Sequence, residues 1–380
     1  MRILVNCSNI KKGGGIQVAL SFIEQVYAIR GHEWHIILSN TLVNNIELVK
    51  EANKQNISTY HYTINPNIFS SITGLNKKLN EIEKRINPDA VFTIFGPSYW
   101  RPKKIHLCGY AKPQYISPNS PYFDIISRKR KLKLQLKKNF HLYDFKKFNN
   151  ALVSESEFVS DRLKIIFPNK PVFTVSNTHH QFYLKPEKWK YDKIVEDFTG
   201  FSLLTITSNY PHKNLKIIPE VIDYLSISYP EFKFRFLLTV TKEELSNISQ
   251  RHENYITFYG KVNIEECPPL YQKSDAMFLP TLMECFSASY PEAMFMQKPI
   301  LTSDLDFAHS ICGDAAVYFD PLDPVSIGRS IYELSISKEK QEELKKAGTM
   351  QLSKFETAES RAMKYVDILE KLYETAHTKL

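Results

Sequence analysis

A chain of 380 residues is longer than one ordinary hydrophobic core supports and suits two domains. With 43% apolar and 24% charged residues it reads as globular, and no run of 18 or more apolar residues is present, which excludes a membrane-spanning helix. The net charge of +8 is unevenly shared: residues 1–180 carry 26 Lys+Arg and 12 Asp+Glu (+14), residues 181–380 carry 23 and 29 (−6). Five cysteines, Cys7, Cys108, Cys267, Cys285 and Cys312, are odd in number and scattered without a C-x-x-C pair, so neither a zinc site nor a disulfide framework is supported. The first ten residues, MRILVNCSNI, form a strand pattern rather than a signal peptide, and a reducing cytoplasm is the expected compartment.

Residues 2–6 read as a strand. Lys11-Lys12-Gly13-Gly14-Gly15 follows, then a helix with Ile16, Ala19, Leu20, Ile23 and Val26 at helical spacing. Strand, glycine loop and helix open a Rossmann-like unit, although a triple glycine alone equally describes a turn. Strands are expected at Trp34–Leu38, Thr59–Thr63, Ala90–Phe95 and Ile105–Cys108, with helices at Thr41–Asn53 and Gly74–Ile86. His106, Tyr110 and Lys112 stand where such a sheet presents its ligand edge, and are candidates for acceptor or donor contacts; His106 also suits a core position inside its strand.

Ser127–Lys147, SRKRKLKLQLKKNFHLYDFKK, holds nine Lys/Arg and a single acid, Asp144, with leucines interleaved. A solvated basic helix is one reading. Contact with an anionic membrane surface is the favoured one, and nucleic acid is set aside because no recognition motif accompanies the patch. The apolar residues alternate through 132–136 and suit a helix only later. A strand at 150–154, a helix at Glu157–Ile166 and a strand and turn within 172–184 complete the first half. His179-His180, without carboxylate partners, reads as hinge or solvent rather than metal.

The second half repeats the alternation. Phe201–Thr207 is a strand, then Ser208-Asn209-Tyr210-Pro211-His212-Lys213-Asn214, then a helix at Leu215–Leu225 whose start would carry Lys213. Phe234–Val240 and Ile256–Tyr259 are strands with a helix at Thr241–Arg251 between them, and Pro268-Pro269 interrupts a helix at Glu265–Lys273. After the strand Ala276–Leu279 comes Glu284 to Pro299, ECFSASYPEAMFMQKP. Proline is tolerated only in a helix's first turn, so Pro291 places the helix start near Ser287. The unpaired amides there face the loop and favour a phosphate. Glu284 lies in the loop, where a carboxylate can accept sugar hydroxyls, and Glu292 one turn into the helix; two glutamates at this spacing are also common on plain surface loops. Asp304-Leu305-Asp306 reads as a loop, and Glu356–Thr375 as a long final helix.

Glu284, Glu292 and the small residues between them resemble the E-x7-E motif of glycosyltransferase family 4, retaining enzymes of the GT-B fold; the resemblance is strong from about Thr205 to Pro324. It implies an α/β, GT-B architecture of two facing Rossmann-like domains: an acceptor-side domain at 1–178, a nucleotide-sugar domain at 179–355, and a helix at 356–380 packing back on the first. It also implies that Glu284 contacts the donor sugar, that Glu292 holds the nucleotide ribose, and that the backbone at Cys285, Phe286, Ser287 and Ala288 binds the diphosphate together with Lys213. Tyr259, Gly260 and Lys261 would lie against the nucleobase, Ser208 and Asn209 beside the donor, and Gly14 and Gly15 would approach it. The sequence departs from the family pattern in having Cys285 and Ser287 where glycines are usual, and Ser208 where an arginine is usual.

The implied activity is transfer from a nucleotide-sugar, UDP- or GDP-linked with UDP favoured, to a hydroxyl of a glycan acceptor, with no cofactor and no metal. Bacterial surface polysaccharide synthesis at the inner membrane face, on a lipid-linked acceptor, fits the basic stretch. Two alternatives are a nucleotide-sugar epimerase of the same fold and a non-catalytic accessory subunit of a transferase.

Overall fold

The computed structural model describes residues 1–11, 13–43, 57–62, 66–73, 76–193, 198–245 and 247–378, with no side-chain detail for 57–62. Most of the helix expected at Thr41–Asn53 lies outside them; its described start is Asn40–Val43.

These residues form two compact units. The first comprises Met1–Ile116, Ile126–Asn177 and Glu356–Leu380, the second Ser117–Ile125 and Thr178–Phe355. In the first unit, strands β1 (Arg2–Cys7), β2 (Glu33–Ser39), β3 (Ile57–Tyr62), β4 (Ala90–Thr93), β5 (Ile105–Gly109), β6 (Ala151–Ser154) and β7 (Val172–Thr174) build a parallel sheet in the order β3-β2-β1-β4-β5-β6-β7. The buried apolar runs of β1 and β4 suit strands covered on both faces. Gly109 ends β5 because nothing larger fits: an added Cβ would stand 1.8 Å from the Ile94 carbonyl oxygen.

The final helix, Ala358–His377, belongs to this first unit. Its Ala362, Tyr365, Val366 and Leu369 share one core with Phe22 and Phe92, and the Tyr365 ring centroid lies 4.8 Å from that of Phe92. Arg361 is buried and donates to Asn177 and, at 2.8 Å, to the Ser21 hydroxyl.

In the second unit, β8 (Phe201–Thr205), β9 (Phe234–Leu238), β10 (Ile256–Phe258), β11 (Ala276–Leu279), β12 (Ile300–Ser303) and β13 (Ala316–Phe319) form a parallel sheet ordered β10-β9-β8-β11-β12-β13. The chain runs outward through β9 and β10, returns, and runs out the other way through β12 and β13. The order therefore reverses between β8 and β11, the position at which open parallel sheets hold ligands beyond their carboxyl ends.

Three local expectations change. Leu215–Ile217 is a 3-10 turn and the helix runs Ile218–Ser228, because Asn214 adopts a left-handed conformation (φ 54°) that breaks the path. Lys213 consequently ends the 3-10 turn Pro211–Lys213 and does not open the helix. The helix expected at Thr241–Arg251 is a 3-10 turn, Lys242–Glu244, and a short helix, Gln250–Glu253, each begun by a reciprocal cap from Thr241 or Ser249. Pro268 and Pro269 do not interrupt a helix; they occupy the first turn of Cys267–Gln272, where proline is tolerated.

Candidate active site

The site of the second unit is built from the loops after β8 and β11. The backbone N–H of Leu282 donates to the His212 carbonyl at 2.7 Å. The Thr281 hydroxyl stands 3.1 Å from that same carbonyl oxygen and 2.9 Å from Glu284 Oε1. Across this stitch Lys213 Nζ meets Glu284 Oε1 at 2.5 Å. Both side chains are largely withdrawn from water, so the pair is held in a medium that screens it weakly. The arrangement places a cation and a carboxylate side by side at the sheet's switch point.

The helix after this loop runs Ser289–Phe295, two residues later than Pro291 alone suggested, with no side-chain cap at its start. Among the described residues the N–H groups of Phe286, Ser287 and Ala288 find no intrachain acceptor. Two bonds fix the helix to the sheet: Ser289 Oγ donates to the Ile206 carbonyl at 3.3 Å, and the hydroxyls of Tyr290 and Thr302 share a bond of 2.8 Å.

Glu292 projects from this helix into an apolar setting. The Tyr271 hydroxyl approaches its Oε2 at 3.4 Å while also reaching the Ser289 carbonyl at 3.2 Å. The buried Tyr183 hydroxyl faces the same carboxyl without a hydrogen bond of ordinary geometry. Burial pushes Glu292 up to about 7, and the two tyrosines offset this only in part.

Residues 201–336 match the family described as Glycosyl transferases group 1. That segment holds Lys213, Glu284 and Glu292 and spans β8 to the helix Pro324–Ile336. A curated relative, the O-antigen chain mannosyltransferase RfbU of Salmonella typhimurium, is 26% identical over 131 residues, 32% of this chain and 35% of the relative. The aligned region thus spans about a third of that relative's length. Among solved structures, a glycosyltransferase of Rickettsia africae superposes with a TM-score of 0.67 at 19% identity, covering 98% of both chains. HepE of Anabaena, solved with UDP and glucose, gives 0.68 at 12% identity over 98% of this chain and 100% of its own. Their fold is GT-B, and so is the fold of this chain.

The remaining group 1 candidates occupy the same carboxyl edge. Ser208 is exposed, its carbonyl accepting from the Tyr210 N–H at 2.7 Å, and the Asn209 side-chain amide donates to the Glu244 carbonyl. Tyr259 and Gly260 follow β10, Gly260 at φ 65°, and the exposed Lys261 lends its carbonyl to Lys193. His179 stacks on Phe295 with centroids 4.4 Å apart, and burial holds it down at about 4. His180 caps a 3-10 turn. Asp304 pairs with His309, and among the described residues no group of three or more His, Cys, Asp or Glu is placed to hold a metal.

In the first unit Gly14 and Gly15 begin the helix Gly14–Val26; an added Cβ at Gly14 would meet open space and at Gly15 an ordinary contact with Phe95, so packing demands neither glycine. Two acceptor-side candidates are corrected. His106 is 1% exposed, with Nε2 bonded to the Thr93 hydroxyl at 2.8 Å and Nδ1 to the Phe148 carbonyl at 2.6 Å. Tyr110 is fully buried and its hydroxyl donates to the Lys112 carbonyl. Neither side chain is available to a ligand; Lys112 remains partly exposed.

The sequence reading missed the segment Ser117–Ile125, which joins the second unit. Ser120 Oγ donates to the Leu282 carbonyl at 2.6 Å, and the Tyr122 ring lies edge-on to His212, so this excursion braces both loops of the Lys213–Glu284 pair. Its short sequence, SPNSPYFDI, carried no signal of that destination.

Proposed function

We propose that this protein is a retaining glycosyltransferase that moves a sugar from a nucleotide-sugar, UDP-linked in preference to GDP-linked, to a hydroxyl of a glycan acceptor. The observation that carries this reading is the Lys213–Glu284 pair at the β8/β11 switch point, inside the segment that matches group 1 glycosyl transferases. The Lys213 ammonium and the unpartnered amides of Phe286, Ser287 and Ala288 meet the diphosphate and stabilise the charge that develops on it as it leaves. Glu284 accepts hydroxyls of the donor sugar and Glu292 those of the ribose. A bond forms between the acceptor oxygen and the anomeric carbon as the bond from that carbon to the phosphate oxygen breaks. The acceptor proton passes to the departing phosphate on the same face, which retains configuration. No metal takes part in this scheme, since Lys213 supplies the positive charge.

HepE's solved complex with UDP supports the choice of nucleotide, and the O-antigen chain mannosyltransferase relative supports a surface-polysaccharide acceptor. The basic helix Arg128–Lys147 would bring the enzyme to the inner, anionic face of the membrane. Glu284→Ala and Glu292→Ala are each expected to lower transfer at least 100-fold while the far-ultraviolet dichroism stays that of the wild type. Full transfer by either variant sinks the site assignment, and a sugar epimerised at a ring carbon without any acceptor would favour an epimerase.

A further inference from the structure

Tyr99 is held in place by more anchors than a turn requires. It lies between β4 and β5, beside the β1/β4 reversal of the first sheet, where that sheet presents its own ligand edge. Its φ is 54°, the left-handed region that a bulky residue rarely adopts. The buried Asp144 carboxylate accepts from the N–H of Ser98 at 3.2 Å and of Tyr99 at 2.8 Å. The Asn76 side-chain amide donates to the Tyr99 carbonyl at 2.5 Å. The Tyr99 hydroxyl bonds His141 Nε2 at 2.9 Å, and His141 Nδ1 bonds the Tyr115 hydroxyl at 2.8 Å. Phe140 stacks parallel to the ring with centroids 6.3 Å apart.

A turn that needed only the left-handed conformation would carry glycine or asparagine. Here a strained backbone and a buried carboxyl hold one aromatic residue, which is itself left partly exposed. Burial first, and then the charges of Lys112 and Lys137, oppose protonation of His141, the histidine that holds the Tyr99 hydroxyl. A partly exposed aromatic residue beside polar groups is what the apolar face and hydroxyls of a pyranose call for.

We propose that Tyr99 is an acceptor-binding residue, its ring the platform for a pyranose of the glycan acceptor. The assignment rests on the glycosyltransferase reading for the word acceptor, but the binding itself does not require the donor. The probe is a set of methyl glycosides of mannose, glucose, galactose and N-acetylglucosamine, read by saturation-transfer NMR on the full chain. Tyr99→Asn removes the ring and keeps a residue that tolerates the left-handed turn. We expect at least one glycoside to receive saturation, a fivefold or greater loss in Tyr99→Asn, most of the signal kept in Tyr99→Phe, and no loss in Glu292→Ala. A wild-type signal in Tyr99→Asn, no signal from any glycoside on the wild-type chain, or equal loss in Glu292→Ala overturns the proposal. Should Tyr99→Asn unfold, Tyr99→Gly, which adopts the left-handed conformation freely, replaces it, with the same outcomes deciding. Failure of UDP to bind the wild type would sink the donor reading and leave this result standing.

Discussion

At the level of single residues, Glu292 sets two demands against each other. Its folded carboxyl titrates at about 7 because burial disfavours the charged form, against about 4.5 in the unfolded chain. The folded state therefore binds the proton more tightly. The stabilisation this gives is complete below about pH 4.5 and is lost as pH rises towards 7, a change on the order of 3 kcal/mol. Tyr271, Tyr183 and Cys267 are the titratable groups that face it, and burial raises all three, so none ionises in this range. A ribose, by contrast, donates its hydroxyls best to the ionised carboxylate. Between pH 5.5 and 8 the difference in unfolding free energy between wild type and Glu292→Gln is expected to move against the wild type as pH rises, while nucleotide affinity of the wild type improves. Urea unfolding of both proteins across that range, with calorimetric UDP titrations, measures it; a difference independent of pH would refute the titration. Lys213, Glu284 and Glu292 were legible from sequence because one short motif and one lysine carry them. Tyr99 was not, because what gives it meaning is Asp144, 45 residues away. His106 misled for a related reason: a histidine in a strand looks the same in sequence whether its nitrogens find Thr93 and Phe148 or a ligand.

The helix Arg128–Lys147 is the element whose pattern the sequence left unresolved. Leucines at 132, 134 and 136 alternate as in a strand, yet the helix splits them between faces. Leu134 turns to the side of His141 and Phe145, which are buried, while Leu132, Leu136 and Tyr143 stand exposed at helical spacing on the opposite side. Arg128, Lys129, Lys146 and Lys147 flank that exposed stripe, and all four are exposed. Apolar residues bordered by cations are the composition of a helix that rests on an anionic bilayer surface. Each such cation contributes about 1 kcal/mol near the surface, so Arg128→Gln with Lys129→Gln should weaken partitioning about 30-fold. Flotation with phosphatidylglycerol vesicles at graded salt reads this directly. Equal flotation of the variant and the wild type, or no flotation at low salt, removes the membrane from the proposed function. Elsewhere at this scale the β strands were readable nearly to the residue, since buried parallel strands are short apolar runs between turns. The 3-10 turns after Asn214 and Thr241 were not, because side-chain caps and one left-handed residue overrode a passable helical pattern.

For the molecule as a whole, the two sheets have separate cores. The first is built from residues of β1, β2, β4 and the helix Gly14–Val26, closed by Ala362, Tyr365, Val366 and Leu369 of the final helix. The second draws on β8 to β13 and the helices Ile218–Ser228 and Pro324–Ile336. The alternation of strand and helix made both halves visible in the sequence; that the last helix packs back on the first unit was implied by the family resemblance rather than by the alternation, and it is carried by pairings over some 340 residues such as Arg361 with Ser21. Tyr365 is the measure of that contribution. Its ring packs edge-on to Phe22, with centroids 5.7 Å apart, and against Phe92, with the hydroxyl buried. Tyr365→Ala removes a large buried side chain that the neighbouring strands cannot close over, at a cost of about 3–5 kcal/mol. If the cores fold as separate cooperative units, that cost falls on one of them. Calorimetric unfolding of Tyr365→Ala should then show one transition moved down by several degrees and the other unmoved. UDP, which the proposed function assigns to the second unit, should raise only the unmoved transition, by mass action. A single transition that shifts as a whole would mean that the two cores melt together, and that the final helix stabilises the donor site as much as the sheet it packs on.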